Sequence, residues 1–230
     1  MKLAIFNGSP RRKKSNSELL INHFLTGYSS IYSGPLPIHY LAGRKQKDEL
    51  INVFQNAEII IIFFPLYTDC MPGIVKEFFE CMTELKLIHT KKIGFVVQSG
   101  FPEAIHSIYV ERYLEKLTKR LKCEYLGTVI KGGVEGIQMM PAWMTKKLFA
   151  KFQDLGEYFA KHGIFSPKIL EELRKPYKMS LPRRSLFRVM SKTGLSNFYW
   201  NSHLKKNGAY KNRFDKPFKE AKNDTQSPNN

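Results

Sequence analysis

The chain has 230 residues, 43% of them hydrophobic, and a formal net charge of +17. That hydrophobic share supports a packed core and excludes global disorder, and the length suits one domain of ordinary size plus a substantial extension. The charge is uneven: residues 1–165 hold 22 Lys/Arg against 15 Asp/Glu, and residues 166–230 hold 15 against 5.

Met1–Phe6 is too short an apolar segment for a signal peptide. The longest strongly apolar run, Ile59–Leu66, is about a third of what a membrane-spanning helix needs. The expectation is a soluble, cytoplasmic protein. Cys70, Cys81 and Cys123 are odd in number and widely spaced, with no CxxC. They read as reduced thiols rather than as a disulfide framework, a zinc site or an iron–sulfur site.

In chain order, Lys2–Phe6 predicts a strand that stops at the turn cluster Asn7-Gly8-Ser9-Pro10. Ser17–Tyr28 predicts a helix with Leu19, Leu20, His23 and Phe24 on one side. Pro37–Leu41 predicts a short strand and Asp48–Asn56 a helix. Glu58–Phe64 is apolar on both faces, as a central parallel strand covered by helices on each side must be. The loop Pro65–Gly73 follows, and Pro72 suits the start of the next helix because its missing N–H is not needed there. Lys92–Gln98 predicts the fourth strand, Ala104–Lys122 an amphipathic helix, Tyr125–Ile130 the fifth strand and Ala142–His162 the last helix of the domain.

Strands alternating with helices imply a parallel sheet covered on both faces. Five strands fit the doubly wound order 2-1-3-4-5, and right-handed crossovers leave few other choices. Ligands of such sheets bind beyond the carboxyl ends of the strands, at the switch point between strands one and three. Three loops therefore matter. The first, Asn7–Ser17, offers Gly8 for close approach, short polar side chains at Ser9, Ser15, Asn16 and Ser17, and the free N–H groups of a following helix. Together these can cradle a terminal phosphate. GxGxxG and GxxxxGK[ST] are absent, which removes support for a Rossmann dinucleotide site and a P-loop. The alternative is a solvated basic turn with Ser15-x-x-Glu18 as a capping box. In the second loop, Leu66 and Tyr67 can lie against a flat ring while Thr68 meets its polar edge; alternatively Tyr67 is core and Asp69 caps the next helix. In the third, Ser99–Glu103, Gly100 admits a planar ligand and Phe101 can cover it; alternatively the segment is a plain connection. HExxH and GxSxG are absent, and the six histidines are scattered.

The set Gly8-Ser9-Pro10-Arg11, Ser15-Asn16-Ser17, Pro65-Leu66-Tyr67…Met71-Pro72-Gly73 and Ser99-Gly100-Phe101-Pro102-Glu103 resembles the flavodoxin-like NAD(P)H-dependent FMN reductase and quinone reductase superfamily over about residues 1–162. The resemblance implies flavin mononucleotide (FMN) held without a covalent link. Ser9, Arg11, Ser15, Asn16 and Ser17 would hold its phosphate. Pro65, Leu66, Tyr67 and Thr68 would flank its ring on one side, and Ser99, Gly100 and Phe101 on the other. The implied activity is transfer of electrons from NADPH or NADH to a flavin, quinone or similar small acceptor, with no side chain needed as acid or base. The run Arg11–Lys14 is more basic than phosphate binding requires; the excess is either a solvated surface or an attractor for the extra phosphate of NADPH. The iron–sulfur branch is disfavoured because the chain lacks a compact cysteine cluster. The competing reading is a flavodoxin-type carrier that docks with redox proteins; a carrier is often acidic, and this chain is basic.

The expected division is a flavin-binding domain at 1–165 and a basic, mostly helical extension at 166–230. Ser166–Lys175 predicts a helix capped by Ser166, with Pro167 in its first turn. Leu181–Thr193, ended by Gly194, sets Leu186, Phe187, Val189 and Met190 among Arg183, Arg184, Arg188 and Lys192. Leu195–Leu204 adds Phe198, Tyr199 and Trp200, and about 219–230 is a polar end. The extension reads as packing on the core or on a second copy in a homodimer. The alternative is a basic surface for an anionic membrane or an acidic redox protein. Nucleic acid is disfavoured because no reading motif is present.

Overall fold

The computed structural model describes residues 2–43, 47–83, 91–192 and 197–216. His89, Gly194, Leu195 and the polar end 219–230 lie outside the described residues, as do the side chains of Phe187, Met190, Phe198 and Tyr199. The described chain forms two compact units, residues 1–179 and 180–230.

The first unit is a five-stranded parallel sheet in the order β2-β1-β3-β4-β5. Its strands are β1 (Leu3–Asn7), β2 (Ile38–Tyr40), β3 (Ile59–Pro65), β4 (Lys92–Gln98) and β5 (Glu124–Lys131). Every residue of β3 is buried, which is why its sequence is apolar without alternation. Its pleat still sorts the side chains. Ile60, Ile62 and Phe64 enter one core beneath α2 (Lys47–Asn56), α3 (Gly73–Thr83) and α4 (Ile108–Arg120). Ile59, Ile61 and Phe63 enter the other, beneath α1 (Asn16–Ser29), α5 (Ala142–His162) and α6 (Pro167–Arg174).

Register aligns the carboxyl ends. Asn7 pairs with Tyr40 and Phe63, and Gln98 pairs with Pro65 and Lys131. The three loops therefore leave one edge of the sheet, as doubly wound topology requires. Helices α1 and α5 meet through glycines: a Cβ on Gly27 would stand 1.8 Å from Gln153 O, and one on Gly156 1.9 Å from Phe24 O.

One predicted helix differs in kind from expectation. The helix predicted over Ala104–Lys122 begins as a 3₁₀ turn, Ala104–Ser107, and only then becomes α4. Tertiary hydrogen bonds claim the N–H groups of that turn, with Ala104 N donating to Pro176 O (3.0 Å) and Ile105 N to Tyr177 O (3.1 Å). Those bonds, the buried Leu173 and the Arg174–Glu111 ion pair carry the first compact unit past residue 165 to Met179. Ser166 caps α6 as expected, its Oγ accepting from Ile169 N. The second unit contains α7 (Leu181–Lys192) and α8 (Phe198–Lys206). Among the described residues no helix is long and apolar enough to cross a membrane.

Candidate functional site

A cleft at the carboxyl edge of the sheet gathers Ser9, Arg11, Ser15 and Asn16 from the first loop, Pro65, Leu66 and Tyr67 from the second, and Ser99 and Gly100 from the third. Gln98 and Glu135 complete the lining. A larger cavity of about 280 Å³ lies beside α2 and α3, among Leu41, Leu50, Ile51, Ile74 and Phe78. It is the less persuasive site: among the described residues Glu77 is the one carboxylate in its mainly apolar lining.

The first loop is built around Asn7, the fully buried last residue of β1. Its Oδ1 accepts from Ser9 N at 2.9 Å, and its Nδ2 donates to Glu18 Oε2 at 2.9 Å and to Ser15 Oγ at 3.2 Å. Tyr40 OH donates to the other oxygen of Glu18 at 2.7 Å. Burial, then this hydrogen bond, pushes the Tyr40 hydroxyl up to about 12. Gly8 is required by close approach, since a Cβ there would meet Val75 Cγ2 at 2.4 Å.

Ser15 is the N-cap of α1: its Oγ accepts from Glu18 N at 3.1 Å and donates to Arg12 O at 2.6 Å. The reciprocal half of the predicted capping box does not form, because Ser15 N donates to Arg12 O and the Glu18 carboxylate serves Asn7 and Tyr40. Asn16 Nδ2 reaches across to Val134 O at 2.9 Å. An α-helix leaves its first N–H groups without intrahelical partners. With Glu18 N capped, those of Asn16 and Ser17 stand at the open end of α1. Ser17 Oγ is fully buried and has no hydrogen-bond partner among the described residues. A buried hydroxyl without an acceptor is costly. In the first turn of α1, with free helical N–H groups and the dipole's positive end, it fits a phosphate.

In the second loop Tyr67 and Cys70 exchange backbone hydrogen bonds of 2.8 and 3.0 Å. The two residues between them, Thr68 and Asp69, are held at φ 48° and 60°, the left-handed geometry of a tight two-residue turn. Thr68 is thus carried to the tip, away from the cleft lining, and Asp69 is committed to the turn. Tyr67 is 45% exposed, so it is not core. In the third loop Phe101 stacks on His106 at 4.5 Å between ring centres and does not line the cleft. Ser99 Oγ donates to Phe101 O at 3.1 Å. The loop after β5 is zipped onto this segment, with Gly133 N donating to Phe101 O (2.8 Å) and Val134 N to Ser99 O (3.0 Å). That pairing brings Glu135 opposite Gly100. Glu103 accepts from Met179 N at 2.5 Å, tying the same loop to the segment after α6.

Of the twelve residues singled out from sequence, nine line the cleft; Ser17, which is fully buried, Thr68 and Phe101 are not among its lining residues. Sequence reading missed Asn7, Gln98 and Glu135. Gln98 had a signal, a polar residue closing an otherwise apolar strand.

No protein-family model matches the chain, and no curated protein matches it by sequence. Solved structures do. An NADPH-quinone reductase from P. pentosaceus superposes with a TM-score of 0.53 at 16% identity, covering 67% of this chain and 96% of that one. An FMN-dependent NADH-azoreductase from Bacillus anthracis, solved with FMN, gives 0.53 at 15% identity, covering 70% and 100%. An apo NADH:FMN oxidoreductase gives 0.53 at 14% identity, covering 76% and 95%. At these identities the likeness speaks to architecture, and with the strand order it establishes that residues of the first unit adopt the flavodoxin-like fold.

Proposed function

We propose that the cleft binds FMN and that the protein is an NAD(P)H-dependent flavin oxidoreductase acting on a small acceptor such as a flavin or quinone. The observation that carries this reading is the Ser17 hydroxyl, buried without a partner among the described residues in the first turn of α1. Bound FMN would supply hydride acceptance and onward electron delivery. The chain's own part is binding and orientation. Ser9, the Asn16 and Ser17 N–H groups, Ser17 Oγ and Arg11 would hold the phosphate. Pro65, Leu66, Tyr67 and Gly100 would bound the ring. Ser15 and Asn16 side chains keep the loop in shape through the bonds to Arg12, Glu18 and Val134. Structures of this fold named as NADPH-quinone reductase and FMN-dependent NADH-azoreductase support the reading.

The finer assignments belong to the same proposal. Lys13 and Lys14 are exposed and favour NADPH over NADH, whereas Arg12 lies over the Tyr40 ring at 5.5 Å and is partly engaged there. Flavin chemistry belongs to residues 1–165, in a cytoplasmic homodimer. The basic extension 166–230 serves an anionic membrane surface or an acidic redox protein; Leu173 is buried in the core of the first unit, whereas beyond Met179 Leu181, Leu186, Val189 and Trp200 are exposed.

The test is a titration of the apo-protein with FMN and riboflavin, then anaerobic addition of NADPH or NADH. FMN binding more tightly than riboflavin and bleaching by a nicotinamide nucleotide are expected. Equal affinity for riboflavin removes the phosphate cradle. Tight FMN that neither nucleotide reduces leaves the carrier reading instead.

A further inference from the structure

The turn that leads into α5 is apolar and open. Met139 is 53% exposed, Met140 37%, Trp143 76% and Met144 51%. Single exposed apolar side chains are ordinary; four within six residues, one of them Trp, form a patch that needs an occupant. Pro141 is the N-cap of α5, so Trp143 and Met144 stand in its first turn. Lys146 and Lys147 follow Trp143 by three and four residues, which places them one turn along on the same side. On the other flank Gln138 Nε2 donates to Lys14 O at 3.0 Å, fixing the exposed Lys13 and Lys14 beside the turn. Lys13 and Met140 line one open groove of about 400 Å³. No Asp or Glu occurs from residue 136 to 153. The groove also includes Ser15, which lines the cleft as well, so patch and cleft share a face of the molecule.

We propose that residues 139–147, flanked by Lys13 and Lys14, form a docking surface for an anionic lipid bilayer. Charge selects this occupant. A second copy seated symmetrically would bring the same lysines against one another. An anionic headgroup layer complements them, each lysine near such a surface strengthening binding about fivefold. Trp suits the headgroup level, its ring apolar and its N–H wet, and flexible methionines fill irregular apolar space. The long lysine stems let the ammonium groups reach phosphates while the apolar turn sits deeper. The surface does not depend on what fills the cleft.

The experiment uses the full chain without added flavin and with Trp200→Phe, which leaves Trp143 as the reporter because the chain has two tryptophans. Emission is read on vesicles of phosphatidylglycerol with phosphatidylcholine and on vesicles of phosphatidylcholine alone. A blue shift confined to the anionic vesicles and weakened by salt is expected. In the natural chain, Trp143→Ser with Met144→Ser should lower partition to the anionic vesicles about tenfold at unchanged melting temperature, because both side chains are exposed. Unshifted emission on anionic vesicles overturns the proposal, as does partition that survives the double substitution. A shift that grows with protein concentration in the absence of lipid assigns the patch to a second copy. A shift produced by soluble polyglutamate and not by vesicles assigns it to an acidic protein. Either of these also overturns the proposal. None of these readings depends on flavin, so failure here leaves the cofactor reading standing, and the reverse.

Discussion

Ser15 and Ser17 carry the same side chain two residues apart, and the structure gives them different tasks. The Ser15 hydroxyl is spent inside the protein, on Arg12 O, Glu18 N and Asn7 Nδ2. The Ser17 hydroxyl is buried without a partner among the described residues. Ser15→Ala should therefore cost about 1 kcal/mol of stability as a lost N-cap, seen as a lower urea midpoint. Ser17→Ala should leave that midpoint unchanged or raise it, yet weaken FMN by about tenfold or more with little effect on riboflavin, since a hydrogen bond to a charged group is worth about 1.5–3 kcal/mol. Loss of riboflavin affinity to the same extent would place Ser17 away from the phosphate. Tyr40 supplies a pH signature. Its hydroxyl titrates near 12 in the folded protein against an ordinary 10, so the protonated form is favoured by folding. Its contribution is complete below pH 10 and fades as pH rises toward 12. Urea unfolding of Tyr40→Phe should show a deficit of about 1–2 kcal/mol that is constant up to pH 10 and closes above it. A deficit independent of pH throughout would deny the Glu18 bond its role.

Elements pack where their smallest residues allow. The crossing of α1 and α5 rests on Gly27 and Gly156, each facing the other helix's backbone closer than any Cβ permits. Neither Gln153 O nor Phe24 O is the end of a flexible side chain, so the helices themselves would have to separate. Gly27→Ala or Gly156→Ala should each destabilise by about 3 kcal/mol, lowering the melting temperature by about 10 °C for a chain of this size. Because α1 begins at the candidate phosphate site, FMN affinity should fall with it. A substitution that leaves the melting temperature unmoved would mean the crossing is looser than described. The same elements show what periodicity can reveal. The residues of β4 and α5 were readable to the terminus because their patterns are uninterrupted. The turn Ala104–Ser107 looked helical by composition and became 3₁₀ because distant residues, Pro176 and Tyr177, take up its N–H groups.

At the scale of the molecule, the basic charge and the two compact units divide the chain unequally. Residues 166–179 carry sequence features of the extension yet fold with the sheet: Phe165 and Leu173 are buried in its core, and Met179 N binds Glu103 beside the third loop. A chain ending at Met179 should keep the fold and its affinity for FMN. A chain ending at Phe165 loses Leu173, the α6 cap, the Arg174–Glu111 pair and the ties to the third loop. Its melting temperature should fall by about 10 °C, equivalent to about 3 kcal/mol, and FMN affinity with it. Circular dichroism melts of the two truncations decide the matter; equal stability would return 166–179 to the extension. In the second unit Trp200 is 62% exposed and Phe214 77%, so aromatic content alone was a poor guide to burial there.

The layered architecture, the strand order and the edge where a ligand would sit are legible in the order of residues. These follow from short-range information: apolar periods of two and 3.6, glycine and proline at the breaks, and the handedness of crossovers. Which side chains line the cleft depends instead on contacts between residues distant in the chain. Thr68 and Phe101 looked suited to a flat ring, but a left-handed turn and a stack on His106 take them elsewhere. Glu135 belongs to no motif of the sequence and is carried to the cleft by the bonds of Gly133 and Val134 to the third loop. Ser15 and Ser17 are indistinguishable as letters. The difference between them arises from Asn7, at the end of another element, whose single amide organises the loop and leaves one hydroxyl without a protein partner.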